Sequence, residues 1–379
     1  MAPLGLYLHV PFCSSICNYC NFNRSLFDAG LKTRYVPAML AQIRQGLPDG
    51  DAGRAAADTI FFGGGTPSLL EPGEIAAIIR ACRDGFDVRP DAEITMEANP
   101  ETVTPKTLAG FREAGVNRLS LGVQSFRNDE LLRLGRIHDQ ARARQAFREA
   151  RAAGFDNISL DLMMWLPEQT LAQWTESVDA LIDTGPEHAS LYMLELYPNA
   201  PRREEMARAR WSQAPDDDAA EMYETAMGRL EGAGLEQYEI SNVARPGRQS
   251  RHNLKYWIDG EWLGFGPGAH STWRGARWKN ISATADFVSA IEAGADVRTE
   301  TRVLTPEDRW QEALITGLRL TAGVAVEDLR LKYGLEIWTR YGDHLRPYLD
   351  AGLLRHEGGR LRLSRQGMLL ANEVLAVFI

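Results

Sequence analysis

Three cysteines near the N-terminus have a spacing that suits metal binding. Cys13, Cys17 and Cys20 follow one another as C-x3-C-x2-C. Three thiolates can hold three corners of a cubane 4Fe-4S cluster and leave the fourth iron open to a ligand that is not protein. A structural zinc site would need a fourth nitrogen or sulfur ligand, for which His9 is the spare candidate, and inert thiols are the remaining interpretation.

The elements that would position these cysteines alternate between apolar strands and amphipathic helices. Six strand-helix pairs are predicted, which is typical of a parallel sheet wrapped by helices. The predicted strands are 4–10, 59–62, 93–96, 118–123, 158–162 and 189–194, and the predicted helices are 35–46, 74–84, 107–114, 141–153, 171–184 and 218–233. An Ala-Gly pair ends three of these helices, where glycine fits a left-handed position.

Unusual residues follow five of these strands at their C-terminal ends. In a barrel of parallel strands, the loops at these ends build the active site. The first strand leads to the cysteines, and the next four lead to or carry Gly63-Gly-Gly-Thr-Pro67, Glu97-Ala-Asn-Pro100, Gln124-Ser-Phe126 and Asp161. Their convergence on one face predicts a single site at the barrel mouth.

The glycine run at 63–65 does not match a nucleotide motif. It lacks the lysine of a phosphate-binding loop and the span of a dinucleotide fingerprint. Three glycines after a strand let backbone groups approach a ligand closely, and such bare peptide edges suit the amine or carboxylate of an amino-acid-like molecule. An ordinary tight turn is the alternative.

The composition is that of an ordinary globular enzyme. The 379 residues are 44% hydrophobic and 25% charged, and the formal net charge is -9, which disfavours a general nucleic-acid-binding role. No apolar run reaches the ~18 residues that a membrane helix needs, and no signal peptide is recognisable. Four cysteines, three of them clustered, favour a reducing cytoplasm.

Taken together, the motifs resemble the radical S-adenosylmethionine (SAM) superfamily, in particular its branch similar to the oxygen-independent coproporphyrinogen oxidases. The resemblance extends over almost the whole chain and rests on motifs in family order: Tyr7-Leu-His-Val-Pro-Phe-Cys13, the cysteine loop, Phe61-Phe-Gly-Gly-Gly-Thr-Pro67, Glu97-Ala-Asn-Pro-Glu101, Leu121-Gly-Val-Gln-Ser-Phe126, Leu134-Gly-Arg-x-His138, and Asp161 before Leu166-Pro167. It implies an α/β fold, a partial (β/α)6 TIM-like barrel.

The resemblance also implies the cofactors and their ligands. Cys13, Cys17 and Cys20 would hold a 4Fe-4S cluster whose open iron is chelated by the amino and carboxylate groups of SAM. An electron donor such as flavodoxin or ferredoxin would reduce it, and SAM would be cleaved to methionine and a 5′-deoxyadenosyl radical. The residues expected to line the SAM site are Tyr7, Tyr19, Gly64, Gly65, Thr66, Glu97, Gln124, Arg136 and Asp161.

Two features separate this chain from the coproporphyrinogen dehydrogenases. Those enzymes carry a further cysteine two residues after the third, where this sequence has Phe22. The motif H-N-x-x-Y-W at 252–257 resembles instead the haem chaperone group of the same branch, which implies haem contacts from His252, Tyr256 and Trp257. Imidazole can ligate haem iron and aromatic rings can pack on the macrocycle, although His252 could equally anchor the loop that closes the barrel.

The leading hypothesis is therefore a haem chaperone that binds cluster, SAM and haem and delivers haem to respiratory apoproteins. Whether it is an enzyme is left open. At most, it is expected to cleave SAM. The alternatives are an oxygen-independent coproporphyrinogen III dehydrogenase and a non-catalytic zinc protein. No membrane span is expected, and peripheral membrane contact stays open.

The predicted organisation has three parts. Residues 1–245 form the barrel, 246–303 form a connecting segment, and 304–379 form a smaller winged-helix-like domain of helices and a hairpin at Gly358-Gly359. Since the chain is acidic, the last domain is expected to contact protein or to pack as a cap. The proline-rich stretch at 198–217 is predicted to be a surface loop above the barrel mouth, either a lid or a solvated connector.

Overall fold

The six predicted parallel strands lie side by side in the sheet in the order in which they occur in the chain. The computed structural model describes residues 2–47, 54–166, 168–195, 204 and 216–379. Six strands run parallel, each hydrogen-bonded to the next: β1 (Leu4–Val10), β4 (Ala56–Gly64), β5 (Asp87–Ala98), β6 (Arg118–Gln124), β7 (Ile158–Met164) and β8 (His188–Met193). The predicted α/β fold with a partial (β/α)6 barrel is confirmed.

Helices connect these strands, and their ends are set by local sequence signals. The side chains of Asp28 and Thr170 accept hydrogen bonds from the first turns of two helices. The Ala-Gly sequences end helices as predicted, since φ is 110° at Gly115, 89° at Gly154 and 81° at Gly234. The helices are α1 (Ala29–Arg44), α2 (Pro72–Gly85), α3 (Pro105–Ala114), α4 (Asn128–Leu134), α5 (Gln140–Ala152), α6 (Leu171–Thr184) and α7 (Asp216–Gly232).

Further strands extend both edges of this sheet and close the cysteine loop. They are β2 (Phe12–Cys13), β3 (Ser25–Leu26), β9 (Glu236–Glu239), β10 (Asn242–Ala244), β11 (Trp262–Phe265), β12 (His270–Trp273), β13 (Ala276–Asn280) and β14 (Arg298–Val303). β10 pairs antiparallel with β8, whereas β11 pairs parallel with β1 and leads through β12 and β13 to β14. Segment 246–303 is thus more than a connector, since it supplies a seventh parallel strand together with α8 (Arg251–Trp257) and α9 (Thr284–Glu292).

Side chains alternate along the strands between the helices and the barrel interior. On β1, Leu6 and Leu8 are fully buried in the apolar core. Gly5 and His9 face inward, since a Cβ at Gly5 would lie 3.0 Å from the His252 ring and a Cβ at Gly64 would lie 2.6 Å from the His9 ring. The interior is therefore lined by the polar and aromatic residues that the sequence places at every second strand position.

The C-terminal residues form a smaller domain with its own core, as predicted. This core contains Trp310, Leu345 and Phe378, and the predicted hairpin turns at Gly358 and Gly359, where φ is 57° and 74°. Its elements are α10 (Pro306–Gly317), β15 (Val324–Ala325), α11 (Val326–Tyr333), α12 (Ile337–Asp350), β16 (Leu354–Glu357), β17 (Arg360–Leu363), α13 (Arg365–Leu369) and α14 (Ala371–Leu375). In the part of the chain that the structure describes, no helix has the length and apolar character to cross a bilayer.

Candidate functional site

The three cysteines lie in a loop that leaves the C-terminal end of β1. Parallel pairing of β2 with β3 closes this loop around Cys17 and Cys20, and the backbone N–H of Cys20 donates to the carbonyl of Cys17 at 3.3 Å. All three thiols are free. Burial raises the pKa of Cys13 to about 11 and also raises that of Cys20. Ligation of a metal would therefore have to displace the thiol protons.

The glycine run packs directly against the cysteine loop. A Cβ at Gly65 would lie 2.6 Å from the carbonyl oxygen of Phe12 and 3.0 Å from Cys13 Sγ, so only glycine fits there. The next residue, Thr66, donates its hydroxyl hydrogen to Cys13 Sγ at 3.6 Å. The ends of β1 and β4 are therefore joined at the first cysteine, as the convergence of strand ends predicts.

Arg136 joins the cysteine loop to two further strand ends. Its Nη1 atom donates to Cys17 Sγ at 3.5 Å, while Nη2 donates to Asn99 Oδ1 at 2.8 Å and to the carbonyl of Gly122 at 2.6 Å. Asn99 in turn donates to the Thr66 hydroxyl at 3.2 Å. The Nε atom of Arg136 is buried without a hydrogen-bond partner, so this guanidinium retains a donor for a ligand.

Two inward carboxylates lie deeper in the barrel than the cysteines. The backbone N–H of Gly64 donates to Glu97 Oε2 at 3.2 Å, and Ser120 donates its hydroxyl to Asp161 at 3.2 Å. Burial, with repulsion from Asp161, raises the pKa of Glu97 to about 8, and burial raises that of Asp161 to about 6. Of the two, Glu97 therefore retains its proton to a higher pH than Asp161 does.

The remaining predicted SAM residues lie around the same mouth. His9 Nε2 donates to the carbonyl of Asn23 at 2.7 Å, which leaves Nδ1 to accept from the Tyr7 hydroxyl at 3.0 Å. Burial lowers the pKa of His9 to about 4, so the ring is neutral. Tyr19 packs on an apolar cluster beneath α4, and Gln124 has a left-handed backbone with φ of 68° at the end of β6.

Sequence reasoning missed two residues that organise this site. Asn99 stands in the quoted motif Glu97-Ala-Asn-Pro100, but the motif alone does not show that it bridges Thr66 and Arg136. Asn23 belongs to none of the recognised motifs, yet its amide donates to the carbonyls of Pro267 and Ser282, both at 2.9 Å. The Asn23 contacts span more than 200 residues and the Asn99 contacts span 33 and 37 residues, so no local pattern could have identified either residue.

The predicted haem ligand His252 lies inside the barrel. It is 0% exposed, with Nδ1 2.8 Å from Thr59 Oγ1, Nε2 2.9 Å from the Tyr256 hydroxyl, and its ring stacked on Phe61 at a centroid distance of 5.1 Å. Both ring nitrogens are therefore occupied. This arrangement suits the alternative role considered for His252, in which it anchors the segment that closes the barrel, and iron ligation by His252 stays a prediction.

The other two predicted haem contacts also belong to this floor. Tyr256 is held edge-on by Trp262 at 4.7 Å between ring centroids. Trp257 is covered by the guanidinium of Arg319, which lies 4.4 Å from its ring centroid and comes from the C-terminal part of the chain. Both aromatic rings thus have protein contacts of their own at the barrel floor.

The cysteine loop suits a cluster better than a single ion. In the described ranges, no group of three or more His, Cys, Asp or Glu side chains is arranged to hold one metal ion. In a cubane, each thiolate binds a different iron, so the sulfurs do not need to meet at one point. Three free thiols in a loop closed by β2 and β3, with Gly65 giving close access, fit that requirement.

The predicted lid at 198–217 lies outside the described residues, apart from 204, 216 and 217.

Comparisons with known proteins agree with this geometry. The family profile described as the radical SAM superfamily matches residues 7–181, and the profile of the HemN C-terminal domain matches residues 304–370. A partial parallel barrel with a three-cysteine loop at its mouth is thus the fold and site of a radical SAM protein. Membership of this class implies a 4Fe-4S cluster and SAM as cofactors.

Relatives over the whole chain define the family more narrowly. The protein named heme chaperone HemW from Bacillus subtilis (strain 168) is 36% identical over 377 residues, which cover 98% of each chain. The protein of the same name from Mycobacterium tuberculosis (strain CDC 1551 / Oshkosh) is 37% identical over 385 residues, or 100% of this chain and 95% of that one. The chain belongs to the HemW family of radical SAM proteins.

A solved structure supports the fold assignment. Coproporphyrinogen III oxidase (HemN) from Escherichia coli, described as a radical SAM enzyme, superposes with a TM-score of 0.87 at 21% sequence identity, covering 99% of this chain and 90% of that chain. At this identity, the likeness establishes a shared architecture that includes the C-terminal domain. The chemistry of this chain must be argued from its own residues.

Proposed function

We propose that this protein is a haem chaperone that carries a 4Fe-4S cluster and SAM and delivers haem to respiratory apoproteins. The observation that carries the proposal is the full-length similarity to proteins named heme chaperone, found together with an intact three-cysteine loop at the barrel mouth. Cys13, Cys17 and Cys20 would bind the cluster. A small redox protein such as flavodoxin or ferredoxin would supply its electron.

The proposed SAM site uses donors and acceptors already fixed at the mouth. The unpartnered Nε of Arg136 suits the SAM carboxylate, and Asp161 suits a ribose hydroxyl. A bound cluster with an open iron supplies the coordination site and the electron for reductive cleavage of SAM. The full set of proposed contacts is Tyr7, Tyr19, Gly64, Gly65, Thr66, Glu97, Gln124, Arg136 and Asp161.

Haem needs an apolar surface that protein does not already cover. Three residues that follow the cysteines meet this requirement, since Phe22 is 64%, Leu26 is 58% and Phe27 is 43% exposed. Clusters of exposed apolar side chains, unlike single ones, mark interaction sites. We call Phe22, Leu26 and Phe27 the apolar rim and propose that the haem macrocycle packs against it. Haem would then lie beside the cluster and not at the barrel floor.

A haem titration of anaerobically reconstituted protein tests this proposal. Wild type should shift the Soret band at stoichiometric haem, and replacing Phe22 and Leu26 with serine should weaken binding roughly tenfold, as expected for the loss of two buried apolar contacts. Leu331→Ser is a matched control, since Leu331 is 70% exposed on α11. A wild type that binds no haem would refute the chaperone function. Full binding in the rim variant would refute only the proposed location.

The principal alternative is decarboxylation of coproporphyrinogen III. It is favoured by the fold shared with coproporphyrinogen III oxidase, but Phe22 replaces the further cysteine that is expected in such enzymes. Incubating the reconstituted protein with SAM, a reductant and coproporphyrinogen III distinguishes the two functions. A decarboxylated product would identify an enzyme, whereas bound haem with unchanged porphyrinogen supports the chaperone. Iron, sulfide and zinc analysis of the same preparation tests the zinc alternative.

A further inference from the structure

A buried arginine lies at the start of the fourth parallel strand. Arg118, the first residue of β6, is only 2% exposed. It pairs in register with Thr95 of the neighbouring parallel strand β5, and Thr95 is fully buried. A guanidinium carries its charge at all physiological pH values, and burial of such a charge is costly unless an anion accompanies it.

The described part of the chain supplies no such partner. No described carboxylate lies within ion-pair distance of Arg118, none of its nitrogens donates a hydrogen bond to a described residue, and Nε is buried without an acceptor. The hydroxyl of Thr95 is also buried without a partner. Since adjacent strands lie about 4.8 Å apart, these two unsatisfied groups are neighbours. Most buried polar groups in proteins are hydrogen-bonded, so two such groups side by side point to a missing ligand.

The charged and polar groups around Arg118 are already engaged elsewhere. On the mouth side, its charge acts on Glu97, which accepts from Gly64, and on Asp161, which accepts from Ser120. On the floor side, its charge acts on His188 and His252.

Both of these rings have two hydrogen-bond partners. His188 Nδ1 lies 2.8 Å from Ser159 Oγ and Nε2 lies 2.8 Å from the Tyr238 hydroxyl, while His252 is held by Thr59 and Tyr256. Arg118 therefore lies between the proposed SAM contacts and the barrel floor, with unpaired donors on the lumen side.

We propose that Arg118 and Thr95 form an anion subsite inside the barrel that takes the carboxylate of a small molecule. The planar guanidinium can bind two carboxylate oxygens at once, and the Thr95 hydroxyl supplies a further donor. This inference goes beyond the haem chaperone function, because it requires a second ligand in the lumen next to the proposed SAM site. It does not depend on where haem binds.

Formate, the smallest carboxylate, is a direct probe. Thermal unfolding of the reconstituted full-length protein is followed against sodium formate, with ionic strength held constant by a bulky sulfonate buffer. Wild type should show a saturable rise in melting temperature. Thr95→Val should raise the half-maximal formate concentration roughly tenfold, as expected for one lost hydrogen bond to a charged ligand. Thr184→Val, at the outer end of α6, should leave it unchanged.

Replacement of the charge gives a second, independent readout. Arg118→Met should abolish the formate response, because the guanidinium that would bind the carboxylate is absent. A formate response that persists in Arg118→Met, or an equal formate response in wild type and Thr95→Val, would overturn the subsite. If chloride raises the melting temperature with the same half-maximal concentration as formate, the site binds an adventitious ion only. That result would overturn the carboxylate assignment.

Discussion

Arg136 Nη1 lies 3.5 Å from the Sγ atom of Cys17. The same guanidinium is fixed by Asn99 Oδ1 and by the carbonyl of Gly122, so its position is set by protein contacts alone. Hydrogen bonds to cluster sulfurs are one of the means by which a protein sets a cluster's reduction potential, because they stabilise the more negative, reduced state. Arg136 is thus expected to act on the cluster as well as on SAM.

Replacing Arg136 with methionine should therefore lower the midpoint potential of the reconstituted cluster. We expect a shift of about 59 mV, the one-electron equivalent of a tenfold change in the equilibrium constant. Potentiometric titration followed by EPR measures it in the absence of SAM. Arg148→Met, on the outer face of α5, is the control. A potential equal to that of wild type would show that the contact with Cys17 does not persist once the cluster is bound.

Glu97 should make the stability of the protein depend on pH. Its pKa is raised from 4.5 to about 8, so its stabilising contribution is complete below pH 4.5 and is lost as the pH rises through about 8. Glu97→Gln should consequently be more stable than wild type at pH 9, by about 1 to 2 kcal/mol, and should differ little at pH 5. Urea unfolding without SAM at both pH values measures this difference. Glu113→Gln, exposed on α3, should show no such trend.

The barrel and the cysteine loop could be predicted because their signals are local. Each of the six strands is an apolar run ended by glycine or a polar motif, and the cysteines are contiguous in sequence. The strand β11 is not predictable from its sequence, because Trp262-Leu-Gly-Phe265 is only four residues long and contains glycine, which is uncommon inside strands. Its place beside β1 depends on pairing between positions more than 250 residues apart, which no local pattern encodes.

The role of His252 shows a different limit of sequence reasoning. The motif correctly marks a specialised residue, but the residue type does not reveal whether the ring faces a ligand or the protein interior. Gly5 decides this, because only a residue without a Cβ lets the His252 ring approach β1 so closely. The backbone amides of Arg251 and His252 also donate to Glu93 at 3.0 Å, which fixes α8 against the barrel. Neither relationship is visible in the motif.

His252→Ala should therefore reduce stability and leave haem binding intact. The variant loses two buried hydrogen bonds and an aromatic stack, which we expect to cost roughly 2 to 4 kcal/mol of unfolding free energy. Since burial lowers the pKa of His252 to about 3, its contribution is complete above pH 6.5 and declines as the pH falls towards 3. The difference in unfolding free energy between His252→Ala and wild type should thus be larger at pH 7.5 than at pH 5. Loss of the Soret shift at unchanged stability would contradict this role.

The contact between Arg319 and Glu239 should be the most sensitive link between the C-terminal residues and the barrel. Glu239 is fully buried, and its Oε2 accepts from Arg319 Nη2 at 3.1 Å, while the same guanidinium covers Trp257. Burial raises the pKa of Glu239 and the Arg319 charge opposes this effect. Removing Arg319 would leave a buried carboxylate without its counter-ion.

Arg319→Met should accordingly cost roughly 3 kcal/mol of unfolding free energy at neutral pH, as for other broken buried ion pairs. The loss should shrink as the pH falls, because protonation of Glu239 removes its need for a cation. The double variant with Glu239→Gln should recover much of the stability, since both charges are then absent. The pair Arg340–Glu307 is the exposed control: its side chains are 42% and 48% exposed, so Arg340→Met should cost clearly less than Arg319→Met. Equal losses for the two arginines would show that burial of Glu239 does not control this contact.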